Sequence, residues 1–387
     1  MIFEFHNGII GWGKAIIKCV KRQKVVRNAM VENIDSKVSQ LRAAGALREA
    51  LLSEKLDGGR IGCNICQRRC RIPEGGVGYC RTKINYHGTL YTTIYGVISS
   101  AAADPIEKKP VFHFKPGSHC FSVGTLGCNF RCVFCQNWEI AYADAVESTS
   151  SYCRTGVMPD ILVRMAKENQ CEGVAWTYNE PGIWLNYTLD CAKACKEVGL
   201  YTVYVTNGYA TPEHLDTIGP FLDVYRVDLK SMEDKFYKEL IKVPSIQGIL
   251  DVTIRAKTKW GMHLECVTNI IPGWNDSEEN LTKTARWIVE NLGEKTPWHV
   301  TRFFPYGELA NLPPTPPETL DAAVRLGKQA GLQFVYLGNI ATREGENTYC
   351  PKCGNLSVKR ERYETEVVGV NEHGACSVDG EELNIRL

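Results

Sequence analysis

Three cysteines, Cys128, Cys132 and Cys135, fall within eight residues of the stretch TLGCNFRCVFCQNWEIA. Four would complete a tetrahedral zinc site. Three thiolates on a [4Fe–4S] cube leave one iron without a protein ligand, ready to bind a reacting molecule, much as catalytic zinc keeps one position for water. At roughly 3.3 Å per extended residue, spacings of three and two residues let one loop wrap its thiolates around such a cluster. Gly127 permits an unusual turn before the first cysteine, and backbone N–H groups can donate to the cluster sulfurs. On spacing alone, a zinc ion completed by a distant residue stays open beside the cluster.

Two further cysteine groups flank this loop. Cys63, Cys66, Cys70 and Cys80 form a complete four-thiolate set at spacings of two, three and nine residues. Structural zinc and an auxiliary iron–sulfur cluster both satisfy that set. Arg68, Arg69, Arg71 and Arg81 would offset the thiolate charge. Near the C-terminus, Cys350-Pro-Lys-Cys353-Gly reads as half of a zinc ribbon, with Cys376 as a third ligand. No fourth cysteine follows; the carboxylate of Asp379 or the ring of His373 is the remaining donor for a zinc ion, and a metal-free remnant of such a site is the alternative. Cys19, Cys153, Cys171, Cys191, Cys195 and Cys266 stand apart and read as small packed hydrophobes.

The elements that must position these groups change character along the chain. Residues 1–56 are expected to form a helical extension, because IDSKVSQLRAAGALREALLSEKL repeats apolar positions at three- and four-residue spacing and stops at a Gly pair. Residues 8–31 carry Lys14, Lys18, Lys21, Arg22, Lys24 and Arg27 among apolar positions, as an extension packed on the body or a basic amphipathic helix facing a partner or membrane surface. Residues 57–115 read as a cysteine-rich metal-binding subdomain with one strand, TLYTTIYGVI. From 116 to 345, strand candidates (CFSVGTL, GVAWTY, LYTVYVT, VYRVDL, HLECVTNII, WHVTRF, QFVYLG) alternate with helix candidates (MPDILVRMAKENQ, PGIWLNYTLDCAKACKEVG, DKFYKELIKV, SEENLTKTARWIVENLG, PETLDAAVRLGKQAG). That alternation implies an α/β fold with a parallel sheet, a full or partial TIM-like (β/α) barrel. Residues 346–387 form a zinc-ribbon-like tail. The cysteine loop follows the first core strand, at the sheet edge where such folds place their chemistry.

Among 387 residues, 44% are apolar and 23% charged, ordinary for a soluble globular chain, and the net charge of +1 argues against a general nucleic-acid surface. Seventeen cysteines in a chain this long point to metal binding rather than a secreted disulfide scaffold. No apolar run reaches the roughly 20 residues of a membrane span, and the N-terminus has no small-residue cleavage site, so a cytoplasmic location is expected.

The pattern Cys128-x3-Cys132-x2-Cys135, with Phe134 before the last cysteine, resembles the signature of the radical S-adenosylmethionine (SAM) superfamily. Polar groups after successive strands agree with it. The resemblance implies SAM contacts at Asn179 and Glu180 in TYNEP, with Glu180 on the SAM ammonium, and at Thr206 and Asn207 in VTNGY. VDLKS resembles the Asp-x-Lys of glycyl-radical-enzyme activases, which maps to Asp228 and Lys230. IIPGWND resembles an apolar platform for the adenine, and WHVTRFFP places His299 where that family has a histidine near SAM. CNICQRRCRIPEGGVGYC, DPIEKKPVFHFKPGS and the cysteine loop together resemble the radical SAM member of the AmmeMemoRadiSam system, similar to pyruvate formate-lyase activating enzymes, over about residues 45–387. In that subfamily pattern Asp379 stands where a cysteine is expected.

The resemblance implies a [4Fe–4S] cluster and SAM as cofactors, reductive SAM cleavage, and hydrogen abstraction from a substrate the sequence does not name. It also implies an electron donor such as flavodoxin or ferredoxin and association with Memo-like and AMMECR-like proteins. The alternatives are a glycyl-radical-enzyme activase, and a non-catalytic module in which all three cysteine groups hold zinc.

Overall fold

A computed structural model describes residues 34–146, 153–341, 345–361 and 363–387; the basic segment 8–31 lies outside them. At the centre is an eight-stranded sheet. Its strands are β1 (Ser100–Pro105), β2 (His119–Gly124), β3 (Gly173–Trp176), β4 (Tyr201–Thr206), β5 (Val224–Asp228), β6 (His263–Ile270), β7 (Trp298–Arg302) and β8 (Val335–Gly338), in sequence order across the sheet. The seven strands from β2 to β8 are parallel, and β1 pairs antiparallel with β2, Ala103 opposite Phe121. Among the described residues β1 and β8 are not paired with each other, so the sheet is open, the partial form of the expected barrel. β3, β4 and β6 are buried along most of their length, as strands covered on both faces must be.

The helices follow the expected runs: Pro159–Glu168, Leu185–Glu197, Glu278–Leu292 and Pro317–Gln329. Two more, Pro212–Ile218 and Gln247–Thr258, were not expected. The first is capped by Thr211, whose hydroxyl accepts from the His214 N–H. DKFYKELIKV is not one α-helix: a short turn at Asp234–Phe236 passes into a π-turn at Tyr237–Ile241, ended by Lys242 at φ 66°.

The N-terminal extension departs from expectation. Its helix spans Ile34–Ala43 and stops, with Gly45 at φ 71°. Arg48–Glu49 then pairs with Tyr91 and Thr92, and Ser53–Lys55 with Ile61–Cys63. Strands of the cysteine-rich unit need partners for their backbone groups, and that demand overrides helical periodicity in residues 44–56. TLYTTIYGVI is extended in the sheets only at Thr89–Thr92.

The C-terminal unit is a three-stranded antiparallel sheet (Thr348–Tyr349, Leu356–Glu361, Glu364–Val367) sharing an apolar cluster with Phe112, Phe334 and Tyr336. Arg360, fully buried, fastens it by donating to the Phe112 carbonyl at 2.6 Å and the Thr348 hydroxyl at 2.8 Å. Among the described residues no helix is long and apolar enough to cross a membrane.

Candidate cofactor and metal sites

Because β2 to β8 are parallel, their C-terminal ends share one edge of the sheet. The loop bearing Cys128, Cys132 and Cys135 leaves β2 there. Asn179 and Glu180 follow β3, Thr206 ends β4 with Asn207 next, and Asp228 ends β5 with Lys230 two residues on. The expected residues, His299 excepted, are thus gathered, and hydrogen bonds join them. Asn179 donates through Nδ2 to the Gly127 carbonyl at 2.6 Å and accepts from the Thr125 N–H at 3.2 Å. Asn207 donates to Oδ1 of Asn129, inside the loop, at 2.8 Å. The Tyr142 hydroxyl donates to the Cys132 carbonyl, and Arg131 to the Cys128 carbonyl, each at 2.7 Å.

Burial pushes all three thiols up, Cys132 to about 12; repulsion from neighbouring cysteines adds to it at Cys128 and Cys132, and Lys230 opposes it at Cys132 and Cys135. Cys128 is buried and Cys132 and Cys135 are half-buried; a bound cation would stabilise their thiolates, and an iron–sulfur cluster, whose iron takes thiolate ligands, suits that donor set. Burial works against the charged forms of Asp228 and Lys230 as well. Arg226 and Lys230 nonetheless hold the Asp228 carboxyl below its ordinary value, and Asp228 with Cys132 holds Lys230 above its own. Lys230 Nζ lies 2.8 Å from Asp228 Oδ2, and Arg226 pairs with the other carboxylate oxygen.

Glu180 is tied to the protein as well as placed at the strand ends. Its carboxylate accepts from Gly182 N–H at 2.7 Å, the Thr206 hydroxyl at 2.8 Å and Asn207 N–H at 2.8 Å. Burial pushes its pKa up to about 7. Of roughly four lone-pair directions on a carboxylate, three already serve the protein, so Glu180 brackets the ends of β3 and β4.

His299 does not join the loop. It is the second residue of β7, at the end of the strand away from the cysteines, and Nε2 lies 2.6 Å from Glu265 Oε2. Glu265, fully buried, also accepts from the backbone N–H groups of Phe112 and His113 and faces His263 Nε2 at 2.9 Å. A buried carboxylate needs donors, and supplying one is the place of His299. The alternation of His263 and Glu265 on β6, and of Arg226 and Asp228 on β5, was the sequence signal for these buried pairs. Asn129, which ties the loop to β4, gave no signal beyond its place between two cysteines. In IIPGWND, Ile271 is fully buried while Asn275 donates to the carbonyls of Lys230 at 2.5 Å and Asn269 at 2.9 Å, so that segment shapes the loop after β5.

Cys63, Cys66, Cys70 and Cys80 line one cavity, with Lys83 and Asn129 in its wall. At the C-terminus Cys353 and Cys376 have Sγ atoms 3.7 Å apart, and Cys350 Sγ is 3.6 Å from Asp379 Oδ1. These four bring their ligand atoms within 4.8 Å of one another, and tetrahedral Zn–S bonds of about 2.3 Å imply separations of roughly 3.8 Å. His373 is exposed beside Glu372, outside the group.

Fold and loop together define an α/β enzyme core with an open-sided cysteine cluster at its strand ends. Residues 122–288 match the family model of the radical SAM superfamily. A protein of Methanocaldococcus jannaschii is 38% identical over 342 residues, covering 88% of this chain and all of that one. The pyruvate formate-lyase-activating enzyme of Clostridium pasteurianum is 26% identical over 196 residues, 47% of this chain and 76% of the enzyme. A solved domain of such an enzyme from Bacteroides vulgatus matches at TM-score 0.37 and 21% identity, over 43% of this chain and 99% of that one. The chain belongs to the radical SAM superfamily, whose members use a [4Fe–4S] cluster and SAM.

Proposed function

We propose that this protein cleaves SAM reductively and uses the resulting carbon radical to abstract hydrogen from a substrate. When bound at the Cys128 loop, the cluster and SAM supply one-electron scission of a carbon–sulfur bond, giving methionine and a 5′-deoxyadenosyl radical. The three cysteines would hold the cluster, and the loop that bears them lies with Asn179, Thr206, Asn207, Asp228 and Lys230 at the C-terminal ends of β3, β4 and β5. Asp228 and Lys230 form a charged pair whose field reaches Cys132, and Asn179 and Asn207 fix the loop. Glu180, by bracketing the turn at Asn207, positions groups for SAM, with one lone-pair direction left for its ammonium. The reductant is a flavodoxin- or ferredoxin-type protein.

The observation that carries this reading is the pair of side-chain amide hydrogen bonds from Asn179 and Asn207, which tie the loop of an incomplete cysteine triad to the ends of β3 and β4. Anaerobic protein given SAM and dithionite should release 5′-deoxyadenosine, and Cys132→Ala should abolish it. Wild-type release from that variant rules the assignment out. Colourless protein with zinc in all three sites would instead favour the binding module.

The similarity to an activating enzyme supports a second reading, in which the hydrogen comes from a glycine of a partner enzyme. The resemblance to the AmmeMemoRadiSam member favours another substrate and association with Memo-like and AMMECR-like proteins. Turnover with deuterated candidate substrates, followed by deuterium in 5′-deoxyadenosine, separates the two.

A further inference from the structure

The four-cysteine cavity is built against the SAM-cluster loop. Asn129, one residue after Cys128, lines it, and Arg68, also in its wall, donates to the Asn129 carbonyl at 2.6 Å. A side chain at Gly127 would run into the Cys80 carbonyl and lie 2.5 Å from Thr82 Cγ2. Arg131, from the loop, donates to the Tyr79 carbonyl at 2.9 Å. On the other side Gln67 N–H donates to the Tyr209 carbonyl at 3.1 Å, tying the unit to the chain just after Asn207.

The cavity's dimensions distinguish it from the C-terminal site. Among the described residues only Cys350, Cys353, Cys376 and Asp379 gather three or more ligand atoms within 4.8 Å of one another. The sulfurs of Cys63, Cys66, Cys70 and Cys80 surround a common space without converging to that degree. One zinc ion draws all four thiolates to a single centre, whereas a four-iron cube gives each thiolate its own metal atom and holds them farther apart. Lys83, fully buried, stands in the wall with Nζ held by the Ile183 carbonyl at 2.7 Å and the Thr92 hydroxyl at 3.2 Å.

We propose that Cys63, Cys66, Cys70 and Cys80 hold a second, redox-active [4Fe–4S] cluster that exchanges one electron with the cluster of the Cys128 loop. The second cluster takes one electron from a flavodoxin- or ferredoxin-type reductant and passes that electron on, returning to its oxidised state; no bond is made or broken. The transfer rests on the radical SAM reading of the loop, but the metal assignment does not.

Anaerobically purified protein should contain about eight irons, eight sulfides and one zinc per chain. About four irons with two zincs would overturn the proposal and leave the SAM reading intact. In the Cys128→Ala/Cys132→Ala/Cys135→Ala variant about half of the iron should remain. If all of it remains, the loop holds none, and both the electron transfer and the SAM reading fall while the cluster assignment stands. Electron paramagnetic resonance of reduced wild-type protein should show mutual broadening, absent from Cys66→Ser and Cys132→Ala measured singly. A wild-type spectrum equal to the sum of the two would overturn the transfer. The wild-type metal count requires no variant to fold.

Discussion

The side-chain amide of Asn179 donates to the Gly127 carbonyl at 2.6 Å while accepting from the Thr125 N–H at 3.2 Å, so the residue after β3 sets the path of the chain leaving β2. Losing a buried hydrogen-bond partner costs about 1–3 kcal/mol. Asn179→Leu should therefore lose cluster iron to a chelator roughly fivefold faster or more, on the scale of 1.4 kcal/mol per tenfold. Asn179→Asp, which keeps the acceptor and loses the donor, should fall between. Equal rates of iron loss in all three proteins would mean that the amide does not hold the loop.

Gly127 is constrained twice. Its φ is 82°, which side-chain-bearing residues rarely adopt, and a Cβ would meet the Cys80 carbonyl. Gly58 has a φ of 69° with nothing within 4 Å of a built Cβ. Gly58→Ala should cost about 1 kcal/mol from backbone strain alone, and Gly127→Ala more than about 2 kcal/mol. In Gly127→Ala, iron should fall at the Cys128 loop and metal at the four-cysteine cavity together, because the clash lies between them. Thermal unfolding with metal analysis reads both, and indistinguishable losses of stability in the two variants would refute the contact.

Much of this site was legible because its residues occur at strand ends in recognisable short runs. β2 to β8 follow apolar and β-branched stretches, and the cysteine spacing marked the loop directly. The failures have physical causes. His299 looked like a site residue because its run ends at the right edge of the sheet, yet the histidine stands at the start of β7, where Glu265 needs a donor. The bonds that Glu180 accepts from Gly182, Thr206 and Asn207 had no signal in the sequence, and only the folded chain shows them. Residues 44–56 carry a helical period but pair as strands with the cysteine-rich unit, a partner that periodicity cannot reveal.

At the C-terminus, the sulfurs of Cys350, Cys353 and Cys376 with the carboxylate of Asp379 make a compact four-donor set that suits zinc. Thiolate binds this borderline-soft ion more strongly than a single carboxylate oxygen in such a site. Asp379→Cys should retain zinc against a competing chelator about tenfold better, and Asp379→Ala about tenfold worse, which corresponds to about 1.4 kcal/mol in each direction. The unit packs on Phe112 and Tyr336, so zinc removal should also lower the unfolding temperature. Identical zinc retention by Asp379→Ala and the wild type would remove the carboxylate from the ligand set.

Two buried histidines should make the fold acid-sensitive. Burial holds His113 and His214 down to about 3, with Glu265 opposing at His113 and Lys83 reinforcing at His214. Their unfolded value is about 6.5, so each contributes stability that is present above pH 6.5 and lost as pH falls toward 3. Between pH 6.5 and 5 that loss is about 2 kcal/mol for each ring. Glu180, pushed up to about 7, runs the opposite way and gains stability as pH falls from 7 toward 4.5, so the wild-type slope alone is ambiguous. The difference between proteins is not. Among the described residues neither ring nitrogen of His214 has a hydrogen-bond partner, whereas His113 lies 2.8 Å from the Leu383 carbonyl and 2.5 Å from the Tyr336 hydroxyl. His214→Leu should therefore cost little at pH 7 and remain about 2 kcal/mol more stable than wild type, relative to that starting point, at pH 5. Denaturant unfolding of both proteins at pH 5, 6 and 7 measures this, and parallel curves would show that the ring of His214 is not held neutral by the fold.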